Sequence, residues 1–244
     1  MSQPALPPVV VRPAALAAAA AVAELRRWFA DRHAAGSESV ETCRRASDLF
    51  DDVVRGLWET MLDTLGAEQR RAAAAITLVA HGGYGRREMA PYSDIDLMLL
   101  HDGRAAGGVA EVAARLVQDL FDAGLQVGQS VRTPAEAIRL ARDDATILTT
   151  LLDARTVVGP SVAVDQLAAR LRRMIGRGRR RQAARLIESR REEADRYGET
   201  VALLEPNVKR SPGGLRDISL VRWLAVILFG AESEDELVVA GVIG

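Results

Sequence analysis

An α/β (α+β) fold, a mixed sheet with helices between helical flanks, follows from three observations. Two short aliphatic runs, ITLVA and DIDLMLL, lack helical spacing, and the first stops at a glycine pair. A third run, LQVGQSVR, alternates apolar and polar residues. The stretches on either side instead place apolar residues at three- and four-residue steps.

Taken in order, residues 1–13 are proline-rich and expected to be loose. A helix is expected over 14–35, ending near Gly36. A second runs from Ser47, with Phe50, Val53, Val54, Leu57, Met61 and Leu65 on one face and Gly66 past its end. ITLVAHGG reads as a strand closing on Gly82 and Gly83, and YGRREMA as about two helical turns before Pro91. DIDLMLL is the next strand. Val109, Val112, Leu116, Leu120 and Phe121 mark an amphipathic helix. In LQVGQSVR, Leu125, Val127 and Val131 share one face, and Gln126, Gly128, Ser130 and Arg132 the other. A helix over about 134–152 and a short strand in RTVVG complete the module; beyond 161 the pattern is helical apart from a loop at 205–214. The expected organisation is a loose segment with helices (1–69), an α/β module (70–160) and a helical region (161–244). The last of these stops at VVAGVIG without a polar ending, so a truncated chain is expected. The apolar stretch Trp223, Leu224, Ile227, Leu228 and Phe229 is then expected to be partly exposed.

Composition narrows the function. A formal net charge of −1 over 244 residues gives no basic footprint for nucleic acid. Arginine supplies nearly all the positive charge, and Lys209 is the only lysine. A single cysteine, Cys43, excludes an internal disulfide framework. The alanine run after Pro13 lacks the basic opening of a signal peptide, and no apolar stretch is long enough to span a membrane. A soluble, cytoplasmic protein without membrane partners is expected.

The chemistry concentrates in HGGYGRREMAPYSDIDLMLL (81–100). Asp94 and Asp96 alternate along a strand, so they share a face with Cα atoms about 6.7 Å apart. Carboxylates so placed repel each other unless a cation lies between them, and hard oxygen ligands suit Mg²⁺, which takes further ligands from substrate phosphates. Gly82 and Gly83 let backbone approach a phosphate, a following helix offers free N–H groups, and Arg86 and Arg87 add charge. A glycine pair alone is usually a turn, and Asp-x-Asp alone a solvated strand end. Together, separated by residues 84–93, they predict a Mg-nucleoside triphosphate site with Asp94 and Asp96 catalytic and metal-binding.

This segment resembles the G-G-x10-D-x-D signature of the polymerase-β-like nucleotidyltransferase superfamily. With LLEPNVKRSPGGLRDISLVRW (203–223) and VGQSVRTPAEA (127–137), it is similar to the protein-PII uridylyltransferase/uridylyl-removing branch. The resemblance implies transfer of UMP from UTP to a tyrosine of a PII-type signalling protein, with two Mg²⁺ ions at Asp94 and Asp96. It implies nucleotide contacts from Gly82, Gly83, Arg86 and Ser93. In EPNVKRSPGGLRDI two readings stand side by side: Lys209 and Arg216 against the triphosphate or the base, or a Ser-Pro-Gly-Gly turn that starts a helix with Asp217 in its first turn. The alternatives are another acceptor (an adenylylated protein or RNA) and a nucleotide-binding module without turnover. Superfamily members commonly carry a third carboxylate on the next strand, where this chain offers Gln126, Gly128 and Ser130; Asp153 and Asp144 are the substitutes considered.

His33, His81 and His101 are too scattered for a hydrolase metal site, so nucleotide removal is not encoded in these residues. His81 packs at a strand end or touches phosphate. The arginine cluster at 170–185 carries no interleaved aromatic residues, which favours a protein or interdomain face over nucleic acid.

Overall fold

The computed structural model describes residues 11–103, 106–197, 207–231, 234–239 and 241–242. The loose segment at 1–10, the first residues of the 205–214 loop and part of the final VVAGVIG lie outside the described residues. The chain forms two compact units: residues up to Glu136 with Asp153–Asp165, and Ala137–Leu152 with residues from Gln166 onward.

The first unit holds a four-stranded mixed sheet in the order β3-β2-β1-β4. β1 (Ile76–Ala80) lies antiparallel to β2 (Ile95–His101) and to β4 (Arg155–Val158), while β3 (Val127–Arg132) runs parallel to β2. Three helices, α1 (Pro13–Ala34), α2 (Ser39–Thr64) and α5 (Ala106–Asp122), share a core with the sheet. Leu25, Phe50, Leu57, Leu97, Leu99 and Leu116 form the middle of this core, each at most 4% exposed. Burying each such side chain stabilises the fold by about 1.5–3 kcal/mol.

Several elements differ from the sequence expectation. α2 begins at Ser39 rather than near Ser47, because its first turns bury Thr42 and Ala46, which give no hydrophobic signal. An eight-residue helix, α3 (Ala67–Ala74), follows Gly66 and buries only Ala72 and Ala73. The two turns expected in YGRREMA reduce to one, α4 (Gly82–Gly85), formed by the glycines themselves. Arg87 ends it at φ +60°, with Arg87 N–H donating to Tyr84 C=O and Glu88 N–H to Gly83 C=O. This is the helix-stop geometry that glycine usually supplies. The helix expected over 134–152 is two, α6 (Pro134–Asp143) and α7 (Ala145–Leu152). The Asp144 carboxylate separates them by accepting from the Thr146 and Ile147 amides at 2.7 and 3.1 Å. On β3 the expected faces hold at its start, where Leu125 is buried and Val127 packs on the core, but further along Val131 is exposed while Gly128, Ser130 and Arg132 are half-buried. β3 is an edge strand, and its polar face is the one turned to Asp96.

In the second unit α8 (Ser161–Gly176), α9 (Arg179–Tyr197), α10 (Leu215–Phe229) and α11 (Glu234–Val239) follow one another, α8 entering it from the first unit. On α10, Trp223 and Ile227 are buried, Leu224 and Leu228 half-buried, and Phe229 exposed. Leu215, Ile218 and Val221 are exposed as well.

Candidate functional site

Strand register builds the site. Five antiparallel pairs run from Ile76↔His101 to Ala80↔Leu97, and His81 N–H extends them by donating to Asp96 C=O at 3.1 Å. The chain leaving β1 therefore turns directly beside the residue that matters on β2. At that point Gly82 takes φ +58°, and a Cβ there would lie 3.0 Å from Asp96 Oδ2. On the other side the parallel pairing sets Gly128 opposite Asp96, where a Cβ would collide with Oδ1. Each oxygen of Asp96 thus has a glycine as its neighbour. The third acid sought on β3 is replaced at the paired position by a residue with no side chain. Gly128 is the residue that sequence reasoning missed. The available signal was a glycine inside a strand, which marks close approach of another group.

Asp94 sits two residues earlier, exposed, in the loop that enters β2 rather than in the strand itself. Ile95 N–H donates to Gln126 C=O at 2.8 Å and fixes that entry. Ser93 closes the preceding turn: its Oγ accepts from Ala90 N–H at 3.0 Å, and its own N–H donates to Ala90 C=O at 3.1 Å.

The amides of residues 82–84 open a helical turn and so have no intrahelical acceptor. A Cβ on Gly83 would meet nothing nearer than Glu88 C=O at 4.0 Å, so the backbone there is open. At Gly85 the space is taken by the Asp153 carbonyl. Arg86 turns its guanidinium to Glu88 at 2.8 Å and Asp153 at 2.5 Å. His81 is held at a pKa of about 4 by burial and then by the charge of Arg132, opposed by a hydrogen bond with Leu97 backbone, so it is neutral at pH 7.

The structure brings Gly82, Gly83 and Asp96 together, with Asp94 and Ser93 on the entering loop. Lys209 and Arg216 belong to the second unit. There Lys209 is exposed, and Arg216 Nε lies 3.8 Å from Glu193. Of the two substitute acids, Asp144 caps α7 and Asp153 pairs with Arg86. Among the described residues no three His, Cys, Asp or Glu side chains converge on a metal position. Two carboxylate-bearing residues nevertheless fit Mg²⁺, which is bound through one or two carboxylates plus substrate phosphates, and the open backbone amides fit the phosphates. No described helix is long and apolar enough to cross a membrane.

Two family models match the chain. Residues 23–132 match the nucleotidyltransferase family DUF294, and residues 181–244 match GlnD PII-uridylyltransferase. Curated relatives are named bifunctional uridylyltransferase/uridylyl-removing enzyme. That of Erythrobacter litoralis is 37% identical over 222 residues, 90% of this chain and 24% of the relative. That of Pseudomonas aeruginosa is 42% identical over 172 residues, 69% of this chain and 19% of the relative. A third, from Phenylobacterium zucineum, is 35% identical over 205 residues, 83% and 22% of the two chains. The chain spans about a quarter or less of the length of these relatives.

Proposed function

The chain belongs to the family of the bifunctional uridylyltransferase/uridylyl-removing enzymes, matching a stretch of up to about a quarter of their length, and from that premise we propose that it transfers UMP from UTP to a tyrosine of a PII-type protein. The observation that carries the reading is the Asp96 carboxylate set between Gly82 and Gly128, beside the opening amides of α4.

In this reading Asp94 and Asp96 hold two Mg²⁺ ions. When bound, such ions activate the attacking oxygen and offset the charge of the phosphates. The amides at Gly82 and Gly83 donate to the β- and γ-phosphates, and Arg86, whose guanidinium is paired with Glu88 and Asp153, is assigned to the nucleotide by the resemblance. Ser93 holds the loop that carries Asp94. The acceptor oxygen forms a bond to the α-phosphorus, pyrophosphate leaves, and the tyrosine proton passes to solvent. Neutral His81 adds no positive charge beside the turn. UTP and the PII tyrosine come from the relatives' names and from the resemblance, and Lys209 and Arg216 are assigned to the nucleotide as the basic residues of the second block, Lys209 being the chain's only lysine.

The test is metal-dependent pyrophosphate release with each of the four ribonucleoside triphosphates, with and without a PII-type protein. The reading expects release with UTP that requires both Mg²⁺ and the acceptor. Release with ATP and a different acceptor would move the chain to another transferase class. Tight Mg-UTP binding without release would make it a regulatory nucleotide-binding module.

A further inference from the structure

We propose that Arg155 is a positioning residue for the nucleotide site: from the first position of β4 it locks α4 into the shape that presents its amides, and Asp51 of α2 holds it in place. The proposal rests on the nucleotide-binding reading above and deepens it.

A single helical turn does not hold itself in water, because nucleation is unfavourable and few bonds reward it. The exit of α4 is strained besides, since Arg87 occupies the left-handed region at φ +60°. Something outside the turn must fix it. The Arg155 guanidinium meets the requirement. Its Nη1 donates to Asp51 Oδ2 at 2.6 Å and its Nη2 to Asp51 Oδ1 at 3.0 Å. The same Nη2 donates to Tyr84 C=O at 3.2 Å, the carbonyl that also accepts from Arg87 N–H. The guanidinium carbon lies 5.3 Å from the centre of the fully buried Tyr84 ring.

Asp51 is 1% exposed, so it must be paired, and its partner is thereby oriented. Arg55, one turn further along α2, reaches the same carboxylate at 3.3 Å and also donates to Val157 C=O at 3.1 Å. Arg155 itself is tied to the sheet by pairing with Ala80, just before the turn. Two residues earlier, the Asp153 carbonyl occupies the space beside Gly85 and its carboxylate holds Arg86. The start of β4 therefore grips the turn at three successive residues. Lysine cannot replace this grip, because one ammonium cannot form the two-pronged pair with Asp51 and still reach the Tyr84 carbonyl.

Arg155→Lys keeps the charge opposite Asp51 and is compared with Arg55→Lys, which weakens the pairing of the same buried carboxylate but leaves the hydrogen bond to the Tyr84 carbonyl in place. Two readouts are taken on the whole chain: hydrogen exchange of amides 85–88 without ligand, and calorimetric affinity for Mg-UTP. The clamp predicts faster exchange at 85–88 and about tenfold weaker Mg-UTP binding in Arg155→Lys only, as for loss of one charge-assisted hydrogen bond. Wild-type exchange and affinity in Arg155→Lys would overturn it. Equal effects in both variants would also overturn it, by reducing Arg155 to general support of Asp51. Should the wild-type chain bind no nucleotide, the functional reading fails, and the nucleotide role of Arg155 with it; exchange at 85–88 still decides whether the clamp exists.

Discussion

Of the chain's glycine pairs, Gly82-Gly83 and Gly213-Gly214 each lead into a helical turn beside a loop, and the structure treats these two in opposite ways. At the second, Gly213 N–H donates to Asp217 Oδ2 at 2.7 Å, and Gly214, Leu215 and Arg216 amides donate to the carbonyls of Ser211, Val208 and Lys209. Arg190 completes the seal, reaching Asp217 at 2.6 Å and the Arg210 carbonyl at 2.9 Å. At the first, the opening amides are left to an outside acceptor, and the turn is held from behind by Arg155, Asp51 and Asp153. A glycine pair before a helix is thus not a phosphate site in itself. In the proposed reading it becomes one where the neighbours leave the amides open and set a metal-binding carboxylate beside them. The second pair closes a loop.

The comparison is sharpened most by Gly128→Ala. The new methyl collides with Asp96 Oδ1, the end of a side chain that can rotate away, so the fold should survive while the metal ligand is displaced. Mg-UTP affinity should fall by about 100-fold, the upper range for disturbing a ligand's support, with the melting temperature little changed. An unchanged affinity in calorimetry would remove Gly128 from the site.

A smaller effect is expected at the open backbone. A Cβ at Gly83 meets nothing closer than 4.0 Å, so the cost of Gly83→Val should appear mainly in nucleotide binding, about tenfold, rather than in unfolding. If titration of a UTP analogue gave equal affinities, the first pair would be a turn like the second.

The sealed pair should answer to pH instead. Asp217 is held below its usual value chiefly by the hydrogen bond from Arg190, against the opposing effect of burial and with help from Gly213 N–H. A carboxylate with a depressed folded-state pKa adds stability above its unfolded value and loses it as pH falls through the folded one. Asp217→Asn should therefore lower the melting temperature at pH 7, and the gap from wild type should close as pH is lowered below about 3.8. A gap independent of pH would mean that the charge does not carry the seal.

The sheet and the juxtaposition of Gly82 with Asp96 were legible because apolar runs fix strands locally and a short connection between antiparallel strands fixes their register. What was hidden depends on partners distant in sequence. Asp51 reads as the polar side of an amphipathic helix, and its two-pronged partner Arg155 lies 104 positions away in sequence. Gly128 reads as a weak strand residue until its register neighbour is known. The single turn of α4 was misjudged because nothing in RRE announces that Arg87 will take a left-handed conformation.

The central claim is that Asp96, beside the glycine turn, makes a Mg-nucleotide site. Its most direct test is Mg²⁺-dependent UTP binding and transfer in Asp96→Asn, alongside thermal melts without metal. The account predicts that metal-dependent binding and transfer are lost while the melting temperature holds, since Asn keeps the size of the side chain between Gly82 and Gly128. Near-wild-type transfer, or loss of activity that merely follows unfolding, would contradict it.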